Sequence, residues 1–138
     1  MNNNQETSDN NQTNDNIQKP KHKEFDLEER TTKFAKKVIR LCKKLPKNPI
    51  NDRVVGQLAG CSGSVGANYR EANDALGKKD FVHRMKISRK ESKETIHWLE
   101  IAKEANEEKY HQEINECIQE SVELKNILSS IINKVDHK

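Results

Sequence analysis

The stretch CSGSVGANYREA, residues 61–72, lies in the most glycine-rich part of the chain and decides how it folds. A glycine-rich run of this kind belongs to a phosphate-binding loop, to a flexible linker or to a helix. The glycines at 60, 63 and 66 follow the spacing G-x-x-G-x-x-G, which is neither the dinucleotide nor the P-loop pattern. No Lys-Ser/Thr pair follows them, so the sequence argues against nucleotide binding.

Helical periodicity explains this stretch better. Apolar residues recur every three or four positions, which places them on one side of a helix: Val54, Leu58, Cys61, Val65 and Tyr69. The opposite side is lined by small residues, with Gly66 beside them: Gly56, Ala59, Gly60, Gly63 and Ala67. Since each glycine inside a helix costs about 1 kcal/mol relative to alanine, we expect another backbone to approach this side closely. That backbone would belong to a neighbouring subunit or to another helix of the same chain.

The same analysis predicts four amphipathic helices and no strands. They cover about 26–45, 51–77, 80–105 and 110–135, with short breaks between them. This pattern predicts an all-α fold, an antiparallel up-down-up-down four-helix bundle over residues 24–138. Residues 1–23 are an Asn/Gln/Thr/Asp-rich tract that is too polar to bury a core, and they are predicted to be a disordered tail.

Local signals suggest where these helices begin and end. Asp26 is a candidate cap for the first helix, and two prolines, Pro46 and Pro49, are expected to end it. Asn51 with its neighbouring aspartate is expected to cap the second helix, and Gly77 to close it. The core side of the second helix extends to Leu76 and Ala72, and that of the third helix is predicted to hold Phe81, Met85, Ser88, Ser92, Ile96 and Leu99.

Composition restricts the class of protein. Charged residues make up 34% of the chain and apolar residues 32%, and no apolar run is long enough to span a membrane. The N-terminus lacks the apolar core of a secretory signal. The three cysteines, Cys42, Cys61 and Cys117, are far apart and fit no zinc spacing, so buried free thiols in a reducing cytoplasm are expected.

No catalytic, metal or cofactor site is predicted. Two Glu-x-x-His pairs, Glu94 with His97 and Glu108 with His111, resemble parts of a di-metal carboxylate site. However, His97 points away from the core side, and Glu108 falls in a loop. No nucleophile is accompanied by a partner base, so we expect neither an enzyme nor a small-molecule substrate.

The third helix carries a second apolar side, which predicts self-association. Trp98 and two isoleucines lie there beside two glutamates, outside the core, and tryptophan is enriched at protein interfaces. Scattered exposed apolar residues, which are normal on any protein surface, are the alternative explanation. The candidate interface comprises Gly60, Gly63, Ala67, Arg70, Glu71, Ile87, Glu91, Glu94, Trp98 and Ile101. Within it, Arg70 and Glu71 are expected to pair with charged residues of the third helix, inside one subunit or between two: Glu91, Glu94, Lys86 or Lys90.

Two basic surfaces are candidates for contact with RNA or DNA. They lie on the first and third helices and comprise Lys33, Lys36, Lys37, Arg40, Lys43, Lys44, Lys86, Arg89, Lys90 and Lys93. Such surfaces can contact phosphates by charge alone. A solvated helix surface is the alternative explanation.

Residues 62–72, SGSVGANYREA, and residues 78–101, KKDFVHRMKISRKESKETIHWLEI, resemble the four helix bundle family of 23S rRNA-intervening-sequence proteins, also called S23-like proteins. The resemblance extends over about residues 25–135. It implies an antiparallel bundle that assembles into a homopentameric ring, and a related branch contacts nucleic acid and a reverse transcriptase. The chain departs from the family at His97, where an aromatic such as Tyr is common, and at Ala59-Gly60, where some relatives carry an arginine pair.

The prediction is therefore a non-enzymatic, self-assembling bundle, a homopentamer by resemblance, with nucleic-acid contact through its basic helices. The alternative is a protein-protein adaptor or scaffold with no nucleic-acid role.

Overall fold

The computed structural model describes residues 27–137, which form four α-helices. They are α1 (Leu27–Lys44), α2 (Pro49–Asn73), α3 (Lys78–Ala105) and α4 (His111–Asp136). A short 3-10 turn, Glu108–Tyr110, precedes α4, and no strand occurs between residues 27 and 137. The predicted all-α fold is confirmed, while the predicted tail and the cap at Asp26 lie outside the described residues.

Neighbouring helices run antiparallel, as the order of their contacts shows. Between α2 and α3, Asn51 bonds Asn106 and, further along α2, the Val65 carbonyl accepts a bond from Ser88. Rising numbers on α2 therefore meet falling numbers on α3. The same reversal holds between α1 and α2, between α3 and α4, and between α1 and α4. This packing of the helices is consistent with a four-helix bundle.

The core is built from one side of each helix. Its largest fully buried side chains include Phe34, Leu41, Leu58, Met85, Leu99, Ile114, Leu124 and Leu128. Small polar residues of α3 and α4 are buried as well, and Ser121 donates across the helix interface to the Ser92 carbonyl (2.9 Å). On α3 the core side is slightly rotated from the prediction: Val82, Thr95 and Ala102 are buried, whereas Phe81 and Ile96 are only half-buried.

The predicted start of α2 is wrong by two residues. Asn48 is the cap, its side chain accepting from the Asn51 backbone N–H (2.8 Å), and Pro49 is the first helical residue. Proline is tolerated there because the first turn of a helix leaves its N–H groups without helical partners. Asn51 does not cap α2, and its side chain is buried inside the bundle.

The predicted end of α2 is also wrong. The helix ends at Asn73, and Gly77 is the residue that precedes α3. Leu76, expected on the core side, lies in the connecting loop and is fully exposed. The apolar spacing continued past the helix end, so periodicity alone overran it by one turn.

One glycine of α2 has its reason inside the chain. A Cβ at Gly66 would lie 2.7 Å from Thr31 Oγ1 and 3.1 Å from Thr31 Cβ, so α1 and α2 can approach this closely only without a side chain at 66. Gly56, Gly60 and Gly63 differ, because a Cβ at each would meet nothing within 4 Å. The small residues were expected to have a close helix partner, and α1 is that partner at Gly66. No helix within residues 27–137 packs closely against Gly56, Gly60 or Gly63.

Candidate functional site

The outer side of α2 is an uncharged, exposed surface. No charged residue occurs between Arg53 and Arg70, in a chain of which 34% is charged. We call its exposed small residues the bare α2 face: Gly56, Ala59, Gly60, Gly63 and Ala67. Depletion of charge is typical of the centre of a protein interface.

Next to the bare α2 face, α3 presents an apolar and acidic ridge. We define the α3 ridge by the predicted residues Ile87, Glu91, Glu94, Trp98 and Ile101. Trp98 and Ile87 are half-buried, while Ile101 and Glu94 are exposed. The pKa of the Cys61 thiol on α2 is raised mainly by burial, and the charges of Glu91 and Glu94 raise this pKa further. Glu91 lies one turn after Ser88, which donates a hydrogen bond to the Val65 carbonyl, so this edge of α3 borders α2.

The prediction that Arg70 pairs with α3 inside the chain is wrong. Arg70 instead reaches α1, where its guanidinium bonds Glu28 (3.0 Å) and the Thr32 hydroxyl (3.1 Å). Asn73 bonds the second carboxylate oxygen of Glu28 (2.9 Å). The reason is the direction in which Arg70 leaves α2, on the same side as Gly66 and therefore towards α1. Glu71 is exposed.

On its other edge, the bare α2 face is bordered by an apolar groove that sequence reasoning missed. We call it the α1–α2 groove, and its apolar lining is Ile39, Cys42, Leu45, Pro46 and Val55. Ile39 is 36% exposed, and nearby on the chain Ile50 is 65% exposed. Polar residues at the groove include Lys43, Lys47 and Asp52. The available signal was an isoleucine among the lysines of α1, where a solvated surface would carry a polar residue.

A basic stripe follows the edge of α3 that borders α4. Its members are exposed and spaced alternately four and three residues apart: Lys79, His83, Lys86, Lys90, Lys93 and His97. Lys86 makes a loose ion pair with Asp136 (3.7 Å), and Arg89 bonds Ser129 on α4 (3.4 Å). Two shallow open grooves run along this stripe. Glu94 of the α3 ridge also lines one of these grooves, so the basic stripe and the ridge adjoin along α3.

Some basic residues of α1 form ion pairs within the chain, and others are exposed without one among the described residues. Lys37 and Lys44 pair with Glu116 and Glu113 of α4, and Lys33 lies 3.7 Å from Glu29 in its own helix. Arg30 forms ion pairs with both Glu120 and Glu123. The acid-rich last helix therefore neutralises one side of α1. Lys36, Arg40 and Lys43 are exposed.

The cysteines are free, buried thiols, as predicted. Burial raises the pKa of Cys42 and that of Cys117 to about 11. Because the thiolate is the reactive form, thiols with a raised pKa are poor nucleophiles near neutral pH.

Neither Glu-x-x-His pair forms a metal site. His111 Nε2 lies 2.8 Å from the Lys103 carbonyl oxygen and 2.9 Å from that of Asn106, so this nitrogen donates a hydrogen bond. His97 is exposed on the basic stripe, with its ring edge against Trp98. Within residues 27–137 no cluster of three or more potential ligands is suited to a metal ion. Across the same residues no helix has the length and apolar character to cross a membrane.

Comparison with known proteins agrees with this architecture. Residues 23–130 match the family described as 23S rRNA-intervening sequence protein. A search of curated proteins finds no match. Among solved structures, the chain is similar to a protein of unknown function from the S23 ribosomal protein family of Bacteroides thetaiotaomicron, with 27% identity and a TM-score of 0.65. That similarity covers 76% of this chain and 96% of the other. The match over most of the sequence, together with the shared four-helix architecture, shows that this chain belongs to the 23S rRNA-intervening sequence protein family.

Proposed function

We propose that this protein is a non-enzymatic module that assembles with copies of itself, as a homopentamer, through the surface centred on the bare α2 face. The observation that carries the proposal is the three glycines whose added Cβ atoms would meet nothing within 4 Å. Each costs about 1 kcal/mol of helix stability, and no contact among the described residues offsets this cost. A neighbouring copy of the chain packed against α2 would offset this cost.

The surroundings of the bare α2 face support this proposal. Apolar side chains border it on both edges, Ile39 and Val55 on one side and Trp98 and Ile101 on the other. An uncharged centre with aromatic and aliphatic borders is the composition of a stable interface. The resemblance to the four helix bundle family favours five copies.

Sedimentation of the full chain tests the assembly. We expect the wild-type protein to sediment at about five times its chain mass of 15.9 kDa. Replacement of Gly60 by glutamate should yield a folded monomer, because the position is open and glutamate favours the helix, while the charge opposes burial. Asn126→Glu, at an exposed position of α4, is the matched control and should leave the assembly intact. A wild-type monomer at about 100 µM would contradict the proposal, since oligomers of micromolar affinity form well below that concentration.

We also propose that the basic α3 stripe binds the phosphate backbone of RNA or DNA. A single observation favours this second role: four exposed lysines lie along one edge of one helix, with a histidine between the first two and another at the far end. The stripe lies on the side of α3 away from the bare α2 face, so both surfaces can be used together. Aromatic residues are absent from the stripe, which favours charge recognition over base stacking.

Binding of a labelled single-stranded RNA and a labelled duplex, measured by anisotropy across a salt series, tests this role. With about four phosphates neutralised, the slope of log affinity against log salt should be about −3 to −4. The variant Lys90→Gln/Lys93→Gln should reduce the steepness of that slope by about two units. Lys109→Gln, at an exposed lysine outside both basic surfaces, is the control and should leave the slope unchanged. Failure to bind either ligand at low salt would contradict the nucleic-acid role and favour a protein-protein scaffold.

A further inference from the structure

We propose that the two edges of the bare α2 face are complementary halves of one contact: the α3 ridge of one copy docks into the α1–α2 groove of the next. This inference rests on the proposed self-assembly and specifies which surfaces meet. It makes the contact heterologous, with different surfaces on the two sides, which generates rings when the rotation between copies closes.

The two edges match in chemistry. The groove is a depression whose apolar lining includes Ile39, Leu45 and Val55, and the ridge presents the half-buried Trp98 and the exposed Ile101. Tryptophan is enriched among the residues that contribute most to the affinity of protein interfaces. Each edge alone leaves apolar surface exposed, and docking would cover both at once.

The two edges also match in charge. The ridge carries Glu91 and Glu94. The groove and the adjoining turn of α1 carry one acid, Asp52, and three exposed bases: Lys36, Lys43 and Lys47. None of these three bases appears in an ion pair within residues 27–137, in contrast to Lys37 and Lys44 on the α4 side of the same helix. Charges of opposite sign around an apolar centre orient an interface and exclude wrong registers.

The two edges overlap in height along the bundle. Near one end, Ser88 contacts Val65, whose neighbour Gly66 faces Thr31. At the other end, Asn106 meets Asn51, which bonds the Pro46 carbonyl. Since helices rise 1.5 Å per residue, both reference points place Trp98 of the ridge within about one helical turn of Ile39, which stands at one end of the groove.

The residues that share a level can then be identified. Trp98 lies at about the height of Ile39, and Glu94 at about the height of Lys36. Copies related by rotation about an axis along the bundle keep their heights, so each of these pairs meets in a closed ring. Glu94 of one copy would face Lys36 of the next.

The position of α2 between the two edges explains its missing side chains. In a closed ring, the rotation from one copy to the next is the supplement of the angle between the outward directions of the two edges, and that angle is about a right angle at a corner of a four-helix bundle. A ring would close after about four or five copies, with α2 of every copy nearest the axis. There the helices converge, and only small residues leave room for them.

Charge reversal tests the pairing by sedimentation equilibrium of the full chain. Glu94→Lys and Lys36→Glu should each raise the dissociation constant of the assembly by about tenfold or more, because each creates a like-charge contact in every interface. The double variant should return to within about threefold of wild type, since the reversed pair is again opposite in charge. Glu100→Lys and Lys134→Glu, exposed outside both edges, are the matched controls and should have little effect.

A second variant tests the apolar part of the contact. Ile39→Asp should give a monomer that retains its helical circular dichroism, because Ile39 is at the surface. A wild-type monomer would overturn the proposed function and this inference together. An assembly that Gly60→Glu disrupts, but neither charge reversal nor Ile39→Asp weakens, would keep the proposed function and overturn the pairing of edges. Weakening by both reversals without rescue in the double variant would also overturn it.

Discussion

Replacement of Gly66 by alanine is expected to lower the free energy of unfolding by about 2 kcal/mol, although alanine favours a helix. The new Cβ would lie 2.7 Å from Thr31 Oγ1. That hydroxyl has little freedom to move, because it donates to the Leu27 carbonyl (2.8 Å) and lies near that of Glu28 (3.1 Å). Relief of the clash therefore requires α1 and α2 to separate. Urea denaturation in the monomeric Gly60→Glu background measures the loss.

Two comparisons make this prediction specific. Gly63→Ala, three residues away in the same helix and the same background, should raise the free energy of unfolding by up to about 1 kcal/mol, because its position is open. Combination with Thr31→Ala should reduce the cost of Gly66→Ala by about 1 kcal/mol or more, since the clashing atom is then removed. Equal effects at Gly63 and Gly66 would contradict this account of the α1–α2 contact.

Replacement of Asn51 by alanine is expected to cost about 2–4 kcal/mol. Asn51 is 2% exposed, and its side-chain amide donates to the Pro46 carbonyl and to Asn106 Oδ1, each at 2.8 Å. Asn106 donates in return to Asn51 Oδ1 (3.0 Å). The pair thus joins the two connections at one end of the bundle, and its loss leaves partly buried polar groups without partners.

A double-mutant cycle with Asn106→Ala measures this coupling. The two changes together should cost clearly less than the sum of their separate effects, because either one removes the reciprocal bond. Asn126→Ala on exposed α4 should change the free energy of unfolding by less than about 0.5 kcal/mol. Strict additivity, or a cost at Asn51 no greater than at Asn126, would contradict the proposed role of the pair.

Asn51 also illustrates what sequence reasoning missed. The chain offers two asparagines near the start of α2, and both are good helix caps. The choice of Asn48 depends on the partners that Asn51 finds 55 residues away, in the loop after α3. A cap is a local signal, whereas the competing bond is long-range, and only the tertiary structure brings Asn106 to that place.

The candidate interface was predictable in one half only. Trp98, the two isoleucines and the small residues of α2 differ from their surroundings in periodicity, so the sequence alone indicated them. The α1–α2 groove was missed because Ile39 stands alone on a basic helix, and its apolar neighbours come from the loop and from α2. Such a surface exists only after two helices have packed.

What the sequence by itself determined is the set of helices, the core side of each, and the opposition of core and small residues on α2. These follow from periodicity, which fixes the angle of a side chain about its own helix axis. What only the tertiary structure decided is which neighbour each side meets: Gly66 meets α1, Arg70 turns to Glu28, and the acids of α4 neutralise one side of α1. The physical reason is that helical phase is local, while the partner of a side chain depends on how whole helices pack together.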